Sequence, residues 1–246
     1  MIRFDILTLF PEMFASVLGE SILKRAITSG LLEVKLFEVR DWAEGRHRQV
    51  DDVPYGGGDG MVLKPKPLAA AIRSVRAEGP AAPVTLLTPQ GRRLDQALVQ
   101  ELAKRPRLIL VAGRYAGVDE RVRQRQVDEE LSIGDYVLAG GELPALVVLE
   151  AVARQVPGVL GNQDSAEADS FPRRLEAPQY TRPPEFEGDA VPEVLVSGHH
   201  EAIRRWRMKE SLRRTLARRP DLLEKYPPEG EEIALLAELL AERGSS

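Results

Sequence analysis

Glycines interrupt one segment of the chain, residues 132–143, at Gly134, Gly140 and Gly141. A glycine lets the backbone adopt conformations closed to other residues, or lets a neighbouring group approach closely. The apolar, helix-like run that follows would begin here, and the first turn of a helix presents free N–H groups. Together these features predict a pocket lined by main chain that binds a small polar ligand. A strand, a turn and a helix start without a ligand is the alternative.

Two other segments, residues 86–91 and 112–117, also follow short apolar runs and contain Pro89, Gly91 and Gly113. In parallel α/β proteins, ligands bind at the carboxyl ends of the strands. Most turns after a strand contain Gly or Pro, so each segment alone is weak evidence. The three segments together predict one pocket.

A dense run of basic side chains occupies residues 203–219, with Glu210 as its one acid and Trp206 among them. The basic residues are Arg204, Arg205, Arg207, Lys209, Arg213, Arg214, Arg218 and Arg219. Because the signs do not mix within this run, it favours contact with phosphates, which weakens as salt rises. A solvated helix face, with Trp206 in a core, is the alternative.

A glycine run at residues 56–60 lacks the Gly-Lys-Ser/Thr ending of a phosphate-binding loop. A flexible loop is the simplest interpretation. Arg46, Arg48 and Tyr55 precede it, however, and cations with an aromatic ring suit a nucleotide base or a phosphate.

Composition narrows the possible functions. The formal net charge is −4, so no overall basic field indicates nucleic acid, and the absence of cysteine excludes disulfides and thiolate metal sites. His47, His199 and His200 do not form a metal-ligand pattern. With no apolar stretch of membrane-spanning length, and a strand pattern at the N-terminus in place of a signal peptide, we expect a cytoplasmic protein.

The elements that would position these residues alternate between strand and helix, which predicts an α/β fold with a mostly parallel sheet. Residues 143–156 are apolar almost all round and predict a buried helix. The predicted strands are 2–9, 34–39, 84–87 and 108–111, and the predicted helices of this part are one that begins at Pro11, 21–29, 67–77, 94–104, 118–126 and 143–156.

Composition changes near residue 157, which predicts three parts. Residues 1–160 form the α/β domain, and residues 161–170, which are small and polar, form a flexible linker. Residues 171–246 form a small, mainly helical domain, with helices over 199–218 and 229–243.

Taken together, the motifs of this chain resemble those of the bacterial tRNA (guanine-N1)-methyltransferase family, called TrmD. The resemblance covers almost the whole chain. It rests on residues 9–14, 51–58, 113–115, 118–121, 132–144, 157–161, 180–183, 197–199 and 203–207.

The resemblance implies a SPOUT-type α/β domain with a deep trefoil knot over about residues 84–143. It also implies a homodimer whose active sites lie between subunits. Members of the family transfer a methyl group from S-adenosylmethionine to N1 of the guanine immediately 3′ of the tRNA anticodon (G37), and the family has a magnesium requirement. The helical domain would then bind tRNA, with the target base flipped out of its stack.

Site residues follow from the same resemblance. The implied cofactor-binding residues are Leu86, Leu87, Thr88, Pro89, Gly113, Tyr115, Ser132, Ile133, Gly134, Asp135, Tyr136, Val137, Leu138, Gly140 and Gly141. The implied substrate-binding residues are Tyr55, Gly57, Gly58, Ser197, His199, Arg204, Arg205 and Arg207.

Two catalytic residues are implied by the resemblance. N1 of neutral guanine carries a proton that a base must remove as the methyl group arrives, and Asp169 matches the family's general base. Arg154 matches the residue that holds O6, where negative charge grows as the proton leaves.

The chain departs from the family pattern at Ala116, where the family usually has a glutamate. That glutamate is associated with the charged end of the cofactor, and Asp119 or Glu142 are candidates to compensate for it. Because of this departure, a tRNA-binding relative with weakened catalysis is an alternative to an active enzyme. A measurement of S-adenosylmethionine binding would distinguish the two. A related SPOUT enzyme acting on a ribose 2′-OH or on another base is a third alternative.

Overall fold

The computed structural model describes residues 1–161, 171 and 173–244. They fall into two compact units, Met1–Ala166 and Glu167–Ser246.

The first unit is built on a five-stranded sheet with the order β2-β1-β6-β5-β7, in which every neighbouring pair is parallel. This confirms the predicted α/β class with a parallel sheet. Its strands are Ile2–Thr8 (β1), Leu32–Glu38 (β2), Val84–Arg93 (β5), Arg107–Ala112 (β6) and Glu129–Ser132 (β7), and the short strands Asp51–Asp52 (β3) and Val62–Leu63 (β4) pair separately.

Side chains of successive strand residues point to opposite faces of the sheet. In this sheet both sets are largely apolar, and helices cover both faces. Ile6 of β1 packs in the cluster that includes Leu98 and Leu149, whereas Leu7 packs in the cluster that includes Ile72 and Val122. The helices are Ala15–Leu18 (α1), Ser21–Thr28 (α2), Pro65–Ala77 (α3), Gln96–Leu102 (α4), Glu120–Gln126 (α5) and Glu142–Ala153 (α6), with 3₁₀ turns at Pro11–Phe14 and Val39–Trp42.

The second unit is mainly helical. A hairpin of Glu185–Phe186 (β8) and Asp189–Ala190 (β9), which the proline-rich sequence did not predict, precedes the helices. These are Glu193–Val196 (α7), His200–Arg218 (α8), Asp221–Lys225 (α9) and Glu231–Gly244 (α10). A small core of Leu212, Leu235 and Leu239 holds α8 against α10.

Two features of the first unit are not evident from residue type alone. The last strand ends at Ser132, and the β-forming residues Tyr136, Val137 and Leu138 lie in an irregular loop. Helix α6 is not buried all round, because Leu143 is 52% and Val147 is 45% exposed. An apolar face of this helix therefore stays open to solvent.

A buried ion pair ties β1 to β6. The carboxylate of Asp5, which has no exposed surface, accepts a hydrogen bond of 2.6 Å from Nε of Arg107. Arg107 also donates to the carbonyl oxygens of Val75 and Pro80, so its charge is fully engaged. Arg3 donates to the other Asp5 oxygen at 2.8 Å.

We expect Asp5→Asn to lower the free energy of unfolding by about 3–5 kcal/mol, because it leaves the Arg107 guanidinium buried without a counter-charge. Glu33→Gln is the matched control, since Glu33 forms an exposed pair with Lys35 at 3.5 Å and should change stability by no more than about 1 kcal/mol. Denaturant unfolding measures both. Equal losses in the two variants would contradict this assignment.

Candidate functional site

A cavity of about 450 Å³ lies at the middle of β5 and at the carboxyl ends of β6 and β7. Its walls are residues 86–90, at an irregularity within β5, and the loops that follow β6 and β7. These are the three segments from which the sequence predicted a pocket, and the cavity volume is typical of a small-molecule site. Of the residues proposed to bind a cofactor, all line the cavity except Asp135. The Asp135 side chain is 87% exposed and lies 3.7 Å from Arg93.

Close contact between main-chain segments creates this cavity. The N–H of Gly141 donates to the carbonyl oxygen of Gly113 at 2.7 Å. A Cβ added at Gly141 would lie 2.6 Å from Cα of Ala112, and one at Gly91 would lie 2.2 Å from the backbone nitrogen of Leu131. Both distances are shorter than real Cβ contacts, so these two sites accept only glycine without a shift of backbone.

An irregularity in β5 brings the first loop to the cavity. The pairing of β5 with β7 shifts between Leu87 and Arg92, both of which stand opposite Leu131. The residues between them leave the ladder, as in a β-bulge, and Thr88 and Pro89 line the cavity. The strand predicted to end at residue 87 thus continues beyond the loop.

A buried carboxylate anchors the second loop. Glu142, 1% exposed, accepts hydrogen bonds of 2.9 Å from the Thr8 hydroxyl and from Nε of Arg114. The Arg114 guanidinium also lies 4.4 Å from the centre of the Phe10 ring. Glu142 sits in the first turn of α6, where the helix dipole favours an anion. Arg114 lines the cavity and belongs to the predicted pocket segment 112–117, although its bond to Glu142 was not predicted.

Two tyrosines give the cavity flat aromatic surfaces. The ring of Tyr136 lies over Gly134, where an added Cβ would be 2.5 Å from it, and its hydroxyl donates to the carbonyl oxygen of Ile133 at 3.3 Å. Tyr115 has a φ of +63°, a conformation uncommon for a non-glycine residue. Both rings are about half exposed and therefore available to a flat ligand.

Charged groups at the rim were missed by the sequence analysis. Glu120 and Arg123 line the cavity and pair with each other, with Nη2 of Arg123 2.5 Å from Oε1 of Glu120. Hydrogen bonding from Arg123 lowers the pKa of Glu120, which keeps that carboxylate ionised at neutral pH. Their position directly after the loop of residues 113–117, three residues apart on one helix, is the signal that could have identified them.

The loop around Ala116 shows no acid in the place of the family glutamate. The Ala116 N–H donates to the carbonyl oxygen of Met61 at 2.8 Å, and its Cβ faces Gly60. Neither proposed substitute is free, because Glu142 is engaged by Arg114, and Asp119 binds Arg121 at 2.7 Å. The hydrogen bond from Arg121 lowers the pKa of Asp119.

Of the two predicted catalytic residues, Arg154 lies in the described part of the chain and Asp169 does not. Arg154 directly follows the last residue of α6, Ala153, and is half-buried. Asp169 lies in the segment 162–170, outside the described residues.

Tyr55, Gly57 and Gly58 lie on an open loop. Tyr55 is fully exposed, and the space around both glycines is open. Tyr55 also lines a second hollow, of about 1190 Å³, together with Lys66 and Arg73 of α3.

In the second unit, acids from α10 approach the basic helix α8. Arg205 lies 2.5 Å from Glu238, and Lys209 lies 2.8 Å from both Glu238 and Glu242. Acids outside the run 203–219 therefore offset part of the positive charge of α8. The acids are distant in sequence, so the run 203–219 alone could not reveal them.

Other predicted substrate-binding residues of the second unit form local contacts. Nδ1 of His199 accepts from the N–H of Ala202 and caps α8, while the Ser197 hydroxyl accepts from the His199 N–H at 3.1 Å. Trp206 is half-buried, and its ring lies 6.3 Å from that of Tyr180.

Within the described parts of the chain, no group of three or more His, Cys, Asp or Glu side chains could hold a metal ion. No helix among those described residues combines the length and the apolar character needed to cross a membrane.

Comparison with known proteins adds independent findings. The family model described as "tRNA (Guanine-1)-methyltransferase TrmD" matches residues 2–225. A protein of Chloroflexus aggregans named tRNA (guanine-N(1)-)-methyltransferase is 59% identical over 96% of this chain and 94% of its own length. Proteins of the same name from Dehalococcoides mccartyi (strain CBDB1) and Geobacillus kaustophilus are 53% and 52% identical, over 99% and 98% of this chain and 99% of their own lengths.

We expect Gly141→Ala to lower the free energy of unfolding by about 1–3 kcal/mol, because its methyl group overlaps the backbone of Ala112. Gly161→Ala is the matched control, since nothing lies within 4 Å of a Cβ added there. That variant should be neutral or slightly stabilising. Thermal and denaturant unfolding measure the stability of both variants. An unchanged stability of Gly141→Ala would contradict the close contact between Gly141 and Ala112.

Proposed function

This chain belongs to the tRNA (guanine-1)-methyltransferase TrmD family, and we propose that it methylates N1 of the guanine 3′ of the anticodon with S-adenosylmethionine held in the cavity. It is a tRNA-modifying methyltransferase. The observation that carries the proposal is the meeting of three main-chain segments around about 450 Å³, one at the bulge within β5 and two at the carboxyl ends of β6 and β7.

The cavity suits the adenosine part of this methyl donor. Leu87, Leu131 and Leu138 provide apolar surface for a purine, and Tyr136 provides an aromatic face. Main-chain groups of the three loops provide polar partners at fixed positions, so the ligand is recognised without mobile side chains. When bound, S-adenosylmethionine supplies an electrophilic methyl group.

Residues of the chain would supply the remaining chemistry. Asp169 would accept the N1 proton of guanine as the N1 electron pair forms the bond to the methyl carbon. The bond between that carbon and the donor sulfur would break at the same time, so that the sulfur leaves as a neutral thioether. Arg154 donates hydrogen bonds to O6, which gains negative charge as the proton leaves. A positioned base of this kind contributes roughly 10²–10⁴-fold to the rate.

We also propose the trefoil knot over about residues 84–143. Support comes from the parallel order β6-β5-β7 and from the way Gly140 and Gly141 meet Arg114 and Gly113. A loop that returns to the previous βα turn in this manner is compatible with threading of the chain.

The subunits of the proposed homodimer would meet at an exposed apolar patch of the first unit. Leu143 and Val147 stand one helical turn apart on α6. Helix α6 packs against the 3₁₀ turn that carries Met13, which is 37% exposed, as are the neighbouring Phe10 and Val17. A patch of this kind beside the cavity would let a second copy complete the site.

Magnesium carries no step of this proposal. The ion prefers several oxygen ligands, with one or two carboxylates. Glu120, which lines the cavity, and Glu142, which follows the lining residue Gly141, do not fit, because each is bound by an arginine.

The alternative of a tRNA-binding relative with weakened catalysis rests on Ala116 alone. The relatives that this chain matches over nearly its full length carry methyltransferase names, which favours the enzyme.

We expect the purified protein to methylate unmodified tRNA that has guanine after the anticodon, and not the same tRNA with adenine at that position. Nucleoside mass analysis should detect 1-methylguanosine. A methylated ribose, or equal methylation of both tRNAs, would contradict the proposed target atom.

Asp169→Asn should lower the methyl-transfer rate by roughly 10²–10⁴-fold, because the amide cannot accept the proton. Binding of the donor and of tRNA should persist. Asp164→Asn, in the same segment of the chain, is the matched control and should retain activity. Single-turnover kinetics at saturating tRNA measures both, and full activity of Asp169→Asn would remove Asp169 from the mechanism.

Leu143→Glu should convert the dimer to a monomer in sedimentation experiments, because it places a charge in the apolar patch. Leu240→Glu is matched in exposure, at 53% against 52%, but lies in the second unit and should remain dimeric. A Leu143→Glu variant with unchanged mass would place the subunit contact elsewhere.

A further inference from the structure

The basic helix α8 carries two sets of cations that differ in their partners. Arg204, Arg205, Lys209, Arg213 and Arg219 all form ion pairs with acidic side chains. Within the described part of the chain, no ion pair or hydrogen bond of the Arg207, Arg214 or Arg218 side chain is found. The sequence alone gives no reason to distinguish these eight basic residues, whereas the structure separates five with ion pairs from three without.

Helix geometry brings the three unpaired arginines to one side of α8. Residues 207, 214 and 218 are separated by seven and four positions, and such spacings repeat on the same helix face. At about 1.5 Å per residue they span roughly 16 Å along the axis. Arg207 and Arg218 are exposed, and Arg214 is half-buried. We name these three residues the arginine stripe.

The paired cations serve a different purpose. Arg205, Lys209 and Arg213 face Glu231, Glu238 and Glu242 of α10. Hydrogen bonds from Lys209 and Arg213 lower the pKa of Glu242, and those from Lys209 and Arg205 contribute to the lowered pKa of Glu238. These carboxylates therefore stay ionised at neutral pH and offset the charge of that face. A phosphate there would have to compete with them.

We infer that the arginine stripe is the surface of the second unit that binds tRNA phosphates, and that Arg204 and Arg205 mainly hold α8 in its place. The inference rests on the proposed function, since it takes tRNA as the ligand. An arginine without a protein counter-ion binds a phosphate without losing a salt bridge, and its planar group suits the phosphate oxygens. The nearby acid Glu210 is engaged by Arg213 at 3.0 Å.

The test compares two triple variants of the full-length protein with equal loss of charge. One is Arg207→Gln/Arg214→Gln/Arg218→Gln, and the other is Arg205→Gln/Lys209→Gln/Arg213→Gln. Glutamine retains helix propensity, and thermal unfolding checks that each variant is folded. The probe is unmodified tRNA, whose dissociation constant is measured from low to moderate salt.

Removing the stripe should weaken tRNA binding and reduce the slope of log affinity against log salt by about 2–3, since each phosphate contact contributes about 1. The other triple should retain most of the slope. Arginine-to-lysine changes at the three stripe positions should preserve most of it as well, because lysine keeps the charge.

Two results would overturn the inference: an unchanged slope in the stripe variant, or an equal reduction in both triple variants, which would indicate a general field. Failure of the proposed function would give a different result from failure of this inference, because the wild-type protein would then bind tRNA without methylating it.

Discussion

The cavity depends on one steric constraint, the absence of side chains where two backbone segments touch. Gly141 reaches Ala112 and Gly113 so closely that no Cβ fits, and Gly91 makes the same kind of contact with Leu131. These contacts fix the spacing of three loops, and α6 starts at the point of contact. A pocket made of packed main chain has few alternative conformations, so it can hold a ligand in one orientation without large reorganisation.

In both units, contacts between residues distant in sequence decide which charged side chains are already paired. In the first unit, the buried carboxylate of Glu142, next to the cavity residue Gly141, is satisfied by Thr8 and Arg114. It therefore acts as a structural anchor for the loop that contains Tyr115. In the second unit, acids of α10 offset one face of α8. Which cations of α8 can bind a polyanion therefore depends on which of them form ion pairs in the folded structure, and not on the number of basic residues in the run.

Much of this organisation could be predicted from the sequence, because strand and helix periodicity and the positions of Gly and Pro are local. The three convergent loops, the order of the elements and the parallel sheet followed from such patterns. The position of β7 did not, since Tyr136 and Val137 favour strands in isolation but follow Gly134, whose φ is +151°. The roles of Arg114 and of the α10 acids depend on contacts between residues far apart in sequence, which no local pattern contains.

The central claim is that the methyl donor binds in the main-chain cavity, and hydrogen–deuterium exchange of the protein with and without S-adenosylmethionine tests it most directly. The account predicts slower exchange of amides in residues 86–91, 113–118 and 132–141 when the donor is present, with little change in β2 and in the second unit. Unchanged exchange in all three loops at a saturating donor concentration would contradict it.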